Sequence, residues 1–104
     1  MAKYILIGTS AAVEGRDDDY NDWYDNTHLG EVCAIPGIKS GRRYTADACS
    51  PNPVPSPNIA IYEIETDDPA AVLAELGKRA AAGQMKMTDS LDRSSAQLWL
   101  FKQR

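Results

Sequence analysis

The 104 residues predict an α+β domain, one antiparallel sheet with two helices on one of its faces. Three observations lead there. Four strand-like runs and two helix-like segments follow in the order β-α-β-β-α-β, and a single antiparallel sheet with both helices on one side is the simplest packing of that order. Each helical segment carries one apolar stripe, so each has one face to bury. Apolar residues of both parities occur in the strands near both ends of the chain, as in Ile5, Leu6, Ile7 and in Leu98, Trp99, Leu100, Phe101. Successive strand residues point to opposite faces, so the side of the sheet away from the helices needs cover as well.

The first strand is read from Lys3 to Thr9, a β-branched apolar run ended by polar residues. After the loop SAAVEGR, the triplet Asp17-Asp18-Asp19 supplies an N-cap and the negative charge that a helix start favours. Tyr20, Trp23, Tyr24, Thr27, His28, Val32 and Ile35 recur at steps of three and four and share one face, while Asp18, Asp22, Asn26 and Glu31 fall largely on the other. Ile35-Pro36-Gly37 stops this helix. A second strand is read from Ile38 to Asp47. Four prolines in the seven residues from Pro51 to Pro57 then make a stiff connection that can join neither a ladder nor a helix interior. Ile59 to Thr66 is the third strand, and Asp67 to Gly83 has the acidic start, early proline and terminal glycine of a second helix. The segment QMKMTDSLDRSS is ambiguous, and Ala96 to Gln103 alternates as a closing strand. The layout is ferredoxin-like.

Residues 1–104 are read as one domain, because compact domains run from about 50 to 250 residues. A chain this small buries only about two thirds of its unfolded surface. With two-sided strands, that makes a second copy of the sheet the simplest cover, and a homodimer the expected state. The net charge of −4 and the scattered basic residues lack the electrostatic footprint of nucleic-acid binding. No apolar run approaches the roughly 20 residues of a membrane span, and the N-terminus has no long apolar core or cleavage site, so a cytoplasmic location and no membrane partner are expected. Cys33 and Cys49 form no CxxC pair and sit beside no second histidine; reduced thiols and no metal are expected. No phosphate loop or GxGxxG is present, and no cofactor is expected.

Beyond composition, WYDNTHLGEVCAIPGIKSGRRY, preceded by DDDYND and followed by the Pro-rich loop and IAIYEIE, resembles the EthD-like branch of the dimeric α+β barrel proteins. The family pattern is an aromatic residue, WYD, two residues, His-Leu-Pro, a few apolar residues, Pro-Gly and a basic-aromatic strand. The specific motif spans Tyr20 to Tyr44. Gly30 stands where the family often has proline, and this loosens the turn after His28. The resemblance implies a homodimer whose sheets face each other as a barrel, with a small-molecule pocket in each subunit between the first helix and the sheet. Associated activities include lactone isomerisation, polyketide cyclisation or dehydration, and oxygenation of aromatic substrates without metal or flavin. In lactone isomerases of the family a histidine at the same spacing before Met-Pro-Gly lies in the active site. A tyrosine of that site corresponds here to Gly41.

His28, the only histidine, has the one side chain whose ordinary pKa lies near neutrality, as enolisation, dehydration or substrate deprotonation requires. A lone histidine on an apolar helix face is more often a satisfied structural residue, and the family motif is what favours a catalytic role. Asp25, three residues earlier, is the candidate to orient the imidazole. Arg42 and Arg43 point to opposite faces of their strand. The family's spacing favours Arg43 as the pocket cation, stabilising developing negative charge. Tyr20 is expected at the pocket mouth, Trp23 as a ligand-stacking group, and Tyr62 in the pocket, all three as substrate-binding residues. Two readings from different classes follow. The first is a cofactor-independent lyase, isomerase or cyclase acting on a small aromatic or polyketide-like molecule by His28-assisted proton transfer, with a cofactor-free monooxygenase as its rival. The second is a non-catalytic ligand-binding accessory protein of an oxidative or stress pathway.

Overall fold

The computed structural model describes residues 1–104. In chain order the elements are β1 (Ala2–Ala12), α1 (Asp17–Trp23), a π-helical turn (Tyr24–His28), α2 (Leu29–Cys33), β2 (Ile38–Thr45), β3 (Asn58–Thr66), α3 (Pro69–Ala81) and β4 (Leu91–Lys102). The first expected helix is therefore a single run of α1, π-turn and α2. All strands pair antiparallel in the order β2-β3-β1-β4. No helix is long and apolar enough to cross a membrane.

Register sorts the strand residues onto two faces. Leu6 lies opposite Tyr62 and Leu100, Gly8 opposite Ala60 and Leu98, and Gly41 and Arg43 opposite Tyr62 and Ala60. These residues point toward the helices. There Leu6, Ala60, Tyr62 and Ile64 form the core with Tyr20, Trp23, Tyr24, Val32 and Ile35 of the first helical run and its exit, and with Val72 of α3. The other face presents Ile5, Ile7, Ile59, Ile61, Arg42, Tyr44, Trp99 and Phe101 by the same register. Tyr44, Trp99 and Phe101 are 48%, 41% and 54% exposed, so a large apolar surface stands open on this side of the single chain.

Several boundaries differ from the sequence reading. The residue at the N-cap of α1 is Arg16, which makes no side-chain cap; Asp17, Asp18 and Asp19 lie inside the first turn, where their charge still opposes the positive helix end. α3 has the side-chain cap that α1 lacks, the Asp68 carboxylate accepting from the Ala71 N–H at 3.1 Å, with Pro69 at the first helical position. The ambiguous segment divides. Residues 84–90 form a loop, and Leu91 and Asp92 resume pairing with Ala12 and Ala11 across a bulge. Ser95 Oγ fills that bulge by accepting from the Ala11 N–H at 2.9 Å. At the exit of α2, Gly37 takes φ +99°, a left-handed conformation that a residue with a side chain rarely adopts.

Candidate functional site

The site is built on a change of helical pitch. Within the first helical run the Leu29 N–H donates to the Tyr24 carbonyl, five residues back, where an α-helix would reach four. One extra residue per turn rotates everything downstream by about 100° relative to an unbroken helix. Tyr20, Trp23 and Tyr24 thus face the sheet from one side of the turn. His28 and Glu31 come round to meet them from the other.

His28 lies in an aromatic box. Its ring stacks on Trp23 with centroids 4.5 Å apart and planes 17° from parallel, and meets Tyr24 edge-on at 5.0 Å. The imidazole keeps 24% of its side-chain surface exposed, yet Nδ1 is buried and has no hydrogen-bond partner. The nearest carboxylate oxygen, Glu31 Oε1, is 3.9 Å from Nδ1 and is likewise buried and unpartnered. The other carboxylate oxygen, Oε2, accepts the Lys86 N–H at 2.8 Å, while the Trp23 indole N–H donates to the Lys86 carbonyl at 2.9 Å. Both ends of the Lys86 residue are gripped, so the loop after α3 holds Trp23 and Glu31 around the imidazole. Burial pushes the His28 pKa below its ordinary value, and the Glu31 carboxylate only partly offsets this. The neutral imidazole, with a free nitrogen lone pair, is the form present at neutral pH.

Asp25 does not orient His28. The Asp25 carboxylate accepts from Arg43 Nη1 at 2.8 Å, and the residue that faces the imidazole is Glu31, which the unbroken-helix periodicity had put on the opposite side. Arg43 does lie on the helix-facing side of the sheet, with Arg42 on the other side 3.9 Å from Glu63. Both of its terminal nitrogens, however, are engaged. Nη2 donates to Asn21 Oδ1 at 3.0 Å, and the guanidinium carbon sits 4.4 Å from the Tyr24 ring centroid and 5.3 Å from that of Tyr20. Only Nε is left without a partner. Arg43 in this geometry fastens β2 to the first helical run and does not reach toward a ligand as a free anion-binding cation.

The expected tyrosines are deeper than the sequence suggested. Tyr20 is fully buried and its hydroxyl bonds Ser10 Oγ, so it lines no pocket mouth. Trp23 stacks on His28, leaving one face of that indole engaged by the chain itself. Tyr62, 2% exposed, places its hydroxyl 3.3 Å from that of Tyr24. The strand beneath is cut away for it: a Cβ on Gly41 would lie 2.7 Å from the Tyr62 ring and 2.9 Å from Cys33 Sγ. On the same side of the sheet, α3 and the β1–β4 pair leave an apolar groove of ≈ 350 Å³ lined by Leu6, Leu73, Leu76, Ala80, Leu98 and Leu100.

No protein-family model matches the chain, and comparison with curated proteins finds no significant match.

Glu31 and Tyr24 were missed by sequence reasoning as members of the site. Tyr24 read as packing, because an aromatic at helical spacing usually is. Glu31 follows His28 by three residues, a spacing that makes helix neighbours, so the argument that proposed Asp25 three residues earlier applied to it equally. Elsewhere, a cleft of ≈ 410 Å³ lies on the open side of the sheet between Ile7, Tyr44, Trp99 and Phe101 and the Val54-Pro55 segment of the Pro-rich loop. No three His, Cys, Asp or Glu side chains are grouped to share a metal ion.

Proposed function

We propose that the chain is a cofactor-independent enzyme of the lyase, isomerase or cyclase type, acting on a small aromatic or polyketide-like molecule, and that His28 is its proton acceptor. The observation that supports this is the unsatisfied imidazole. Buried polar nitrogens in folded proteins are nearly always hydrogen-bonded, and one left free beside a free carboxylate oxygen calls for a functional explanation. Nδ1 is the nitrogen turned toward Glu31, which leaves Nε2 to meet a ligand. In the reaction a C–H proton passes to Nε2 and its bonding electrons move to the substrate's carbonyl oxygen as an enolate. The imidazolium so formed is stabilised by Glu31, once the 3.9 Å gap closes to a hydrogen bond, a tightening common on going from free enzyme to complex. Return of the proton at another carbon gives isomerisation, and expulsion of a leaving group gives a lyase or dehydrative cyclase.

The same proposal includes the assembly. The EthD-like resemblance and the open apolar side of the sheet, with Tyr44, Trp99 and Phe101 exposed, both favour a homodimer in which two sheets face each other as an α+β barrel. A stable interface buries about 1,200 to 2,000 Å² in total, a size that a sheet-on-sheet contact reaches.

The reaction class can be tested without the native substrate. Keto–enol interconversion of 1-phenylbutane-1,3-dione, followed by its enol absorbance, needs the same proton transfer at carbon. Wild type should accelerate it over buffer and His28→Ala should lose about 10² to 10⁴ of that acceleration. An acceleration unchanged in His28→Ala would remove His28 as the base and leave a ligand-binding role.

A further inference from the structure

We infer that the Tyr24–Tyr62 hydroxyl pair, which adjoins the apolar groove under α3, is an oxygen-recognition site for ligands seated there, selecting those with a neutral ring body and a terminal enol, phenol or carbonyl oxygen. It rests on the proposed role of His28 and adds the group that would face the substrate oxygen.

Two phenols carry two O–H groups, and at 3.3 Å they can form one hydrogen bond with each other. No other protein group bonds either oxygen, so one O–H has no acceptor although Tyr24 is 7% and Tyr62 2% exposed. A buried donor without an acceptor is destabilising, because its lost hydration is not replaced. An incoming oxygen about 2.7 Å from each hydroxyl would form a closed triangle with them and accept both protons, replacing one long mutual bond with two good ones. Burial pushes both phenol pKa values up, so the pair holds its protons and acts as a double donor at neutral pH.

Position links the pair to the groove. The Tyr24 hydroxyl and Leu98 Cδ2 stand 3.7 and 3.3 Å from where a Gly8 Cβ would be, so the groove's Leu98 wall and the hydroxyl are neighbours over the same glycine. Leu6, on the groove floor, is directly opposite Tyr62 in the sheet. The remaining lining is Leu100 of β4 and Leu73, Leu76, Gly77 and Ala80 of α3, with no charged group, and the ≈ 350 Å³ volume suits a molecule of one or two rings. A charged body would be desolvated there without compensation. Two convergent donors, by contrast, favour oxygen that gains negative charge as His28 removes a proton.

The test is equilibrium binding of 2-naphthol and of 2-methylnaphthalene, the same ring system without the oxygen, with NMR mapping of the contacts. Wild type should bind 2-naphthol more tightly, with the largest shifts at Leu98, Leu100 and Tyr62. Tyr24→Phe and Tyr62→Phe should each weaken 2-naphthol by roughly tenfold, about the worth of one buried hydrogen bond, and leave 2-methylnaphthalene unchanged. Unchanged hydrocarbon binding also verifies that each variant is folded. Absence of saturable 2-naphthol binding, equal loss for both probes, or shifts confined to Trp99 and Phe101 on the open side of the sheet would overturn the inference. The His28→Ala variant separates the two proposals: it should keep 2-naphthol binding while losing the acceleration of keto–enol interconversion. Normal diketone kinetics in tyrosine variants with unaltered naphthol binding would sink the oxygen site and spare the base.

Discussion

Removing Arg43 tests whether that residue is a fastener or a reagent. Arg43→Met keeps most of the apolar stem and deletes the guanidinium. Four contacts go with it: the bond to Asp25 at 2.8 Å, the bond to Asn21 at 3.0 Å, and the approaches to the Tyr24 and Tyr20 rings at 4.4 and 5.3 Å. The Asp25 side chain is 57% exposed, so its carboxylate returns to water and that pair counts for no more than about 1 kcal/mol. The Arg43 side chain is only 13% exposed, and its cation–π contact in this partly desolvated setting adds about 1 to 2 kcal/mol, with about 1 more for the Asn21 bond. A loss of roughly 2 to 4 kcal/mol is expected, read as a lower urea midpoint at an unchanged slope and fixed protein concentration. Arg43→Lys should recover little, because an ammonium cannot serve two acceptors in a plane while lying over a ring. Diketone tautomerisation per folded molecule should fall less than tenfold in both variants. Stability within 0.5 kcal/mol (about the ordinary surface effect) combined with a hundredfold loss of rate would refute the fastener and restore the anion-binding role read from the sequence.

Three further outcomes are expected. Gly41→Ala should cost about 1 to 3 kcal/mol in urea unfolding, because its Cβ would stand 2.7 Å from the Tyr62 ring and 2.9 Å from Cys33 Sγ; a neutral substitution would mean the strand yields easily. Light scattering should give a dimer at micromolar concentration, and Trp99→Lys with Phe101→Lys should give a folded monomer; a monomeric wild type would remove the barrel proposal. The folded-state pKa of His28 lies below its unfolded value of about 6.5, so between those two values the unfolded chain binds more protons. Its contribution to stability is therefore complete above pH about 6.5, falls as pH drops toward the folded pKa, and is constant below it. His28→Asn should remove that slope from denaturation curves taken between pH 4 and 8, and a slope identical in the variant would assign it to other groups.

Much of the fold was legible because the sheet and helices follow local patterns. Alternation set the third strand to within a residue, Pro69 and Asp68 marked the start of α3, and the two-sided apolar strands marked the open face. β4 was cut short at Ala96 because its first residues pair across a bulge bridged by a serine hydroxyl, a long-range arrangement without a periodic signature. In the site the limits were of the same kind. Adjacent arginines must face opposite ways, but only the register that sets Arg43 against Ala60 says which faces the helices. Asp25 and Glu31 lie three residues either side of His28, and only the tertiary pairing of Asp25 with Arg43 on β2 shows that Glu31 is the one left to face the imidazole. The aromatic residues were recognised as one face, yet their depth depends on Gly41 and Gly8 leaving room in the two strands that flank β3.

Because the chain has a single histidine, one ¹⁵N-labelled imidazole reports on the proposed base directly. Its nitrogen shifts, followed from pH 4 to 8, should titrate with a midpoint below the ordinary value of about 6.5, as burial dictates. Glu31→Gln should lower the midpoint further by removing the one charge that favours the imidazolium. Addition of 1-phenylbutane-1,3-dione should move both the midpoint and the Nε2 resonance. A midpoint at or above 6.5 that ignores Glu31→Gln, or an imidazole that never titrates and does not respond to the diketone, would contradict a proton-accepting His28 and make it a packing residue of the aromatic box.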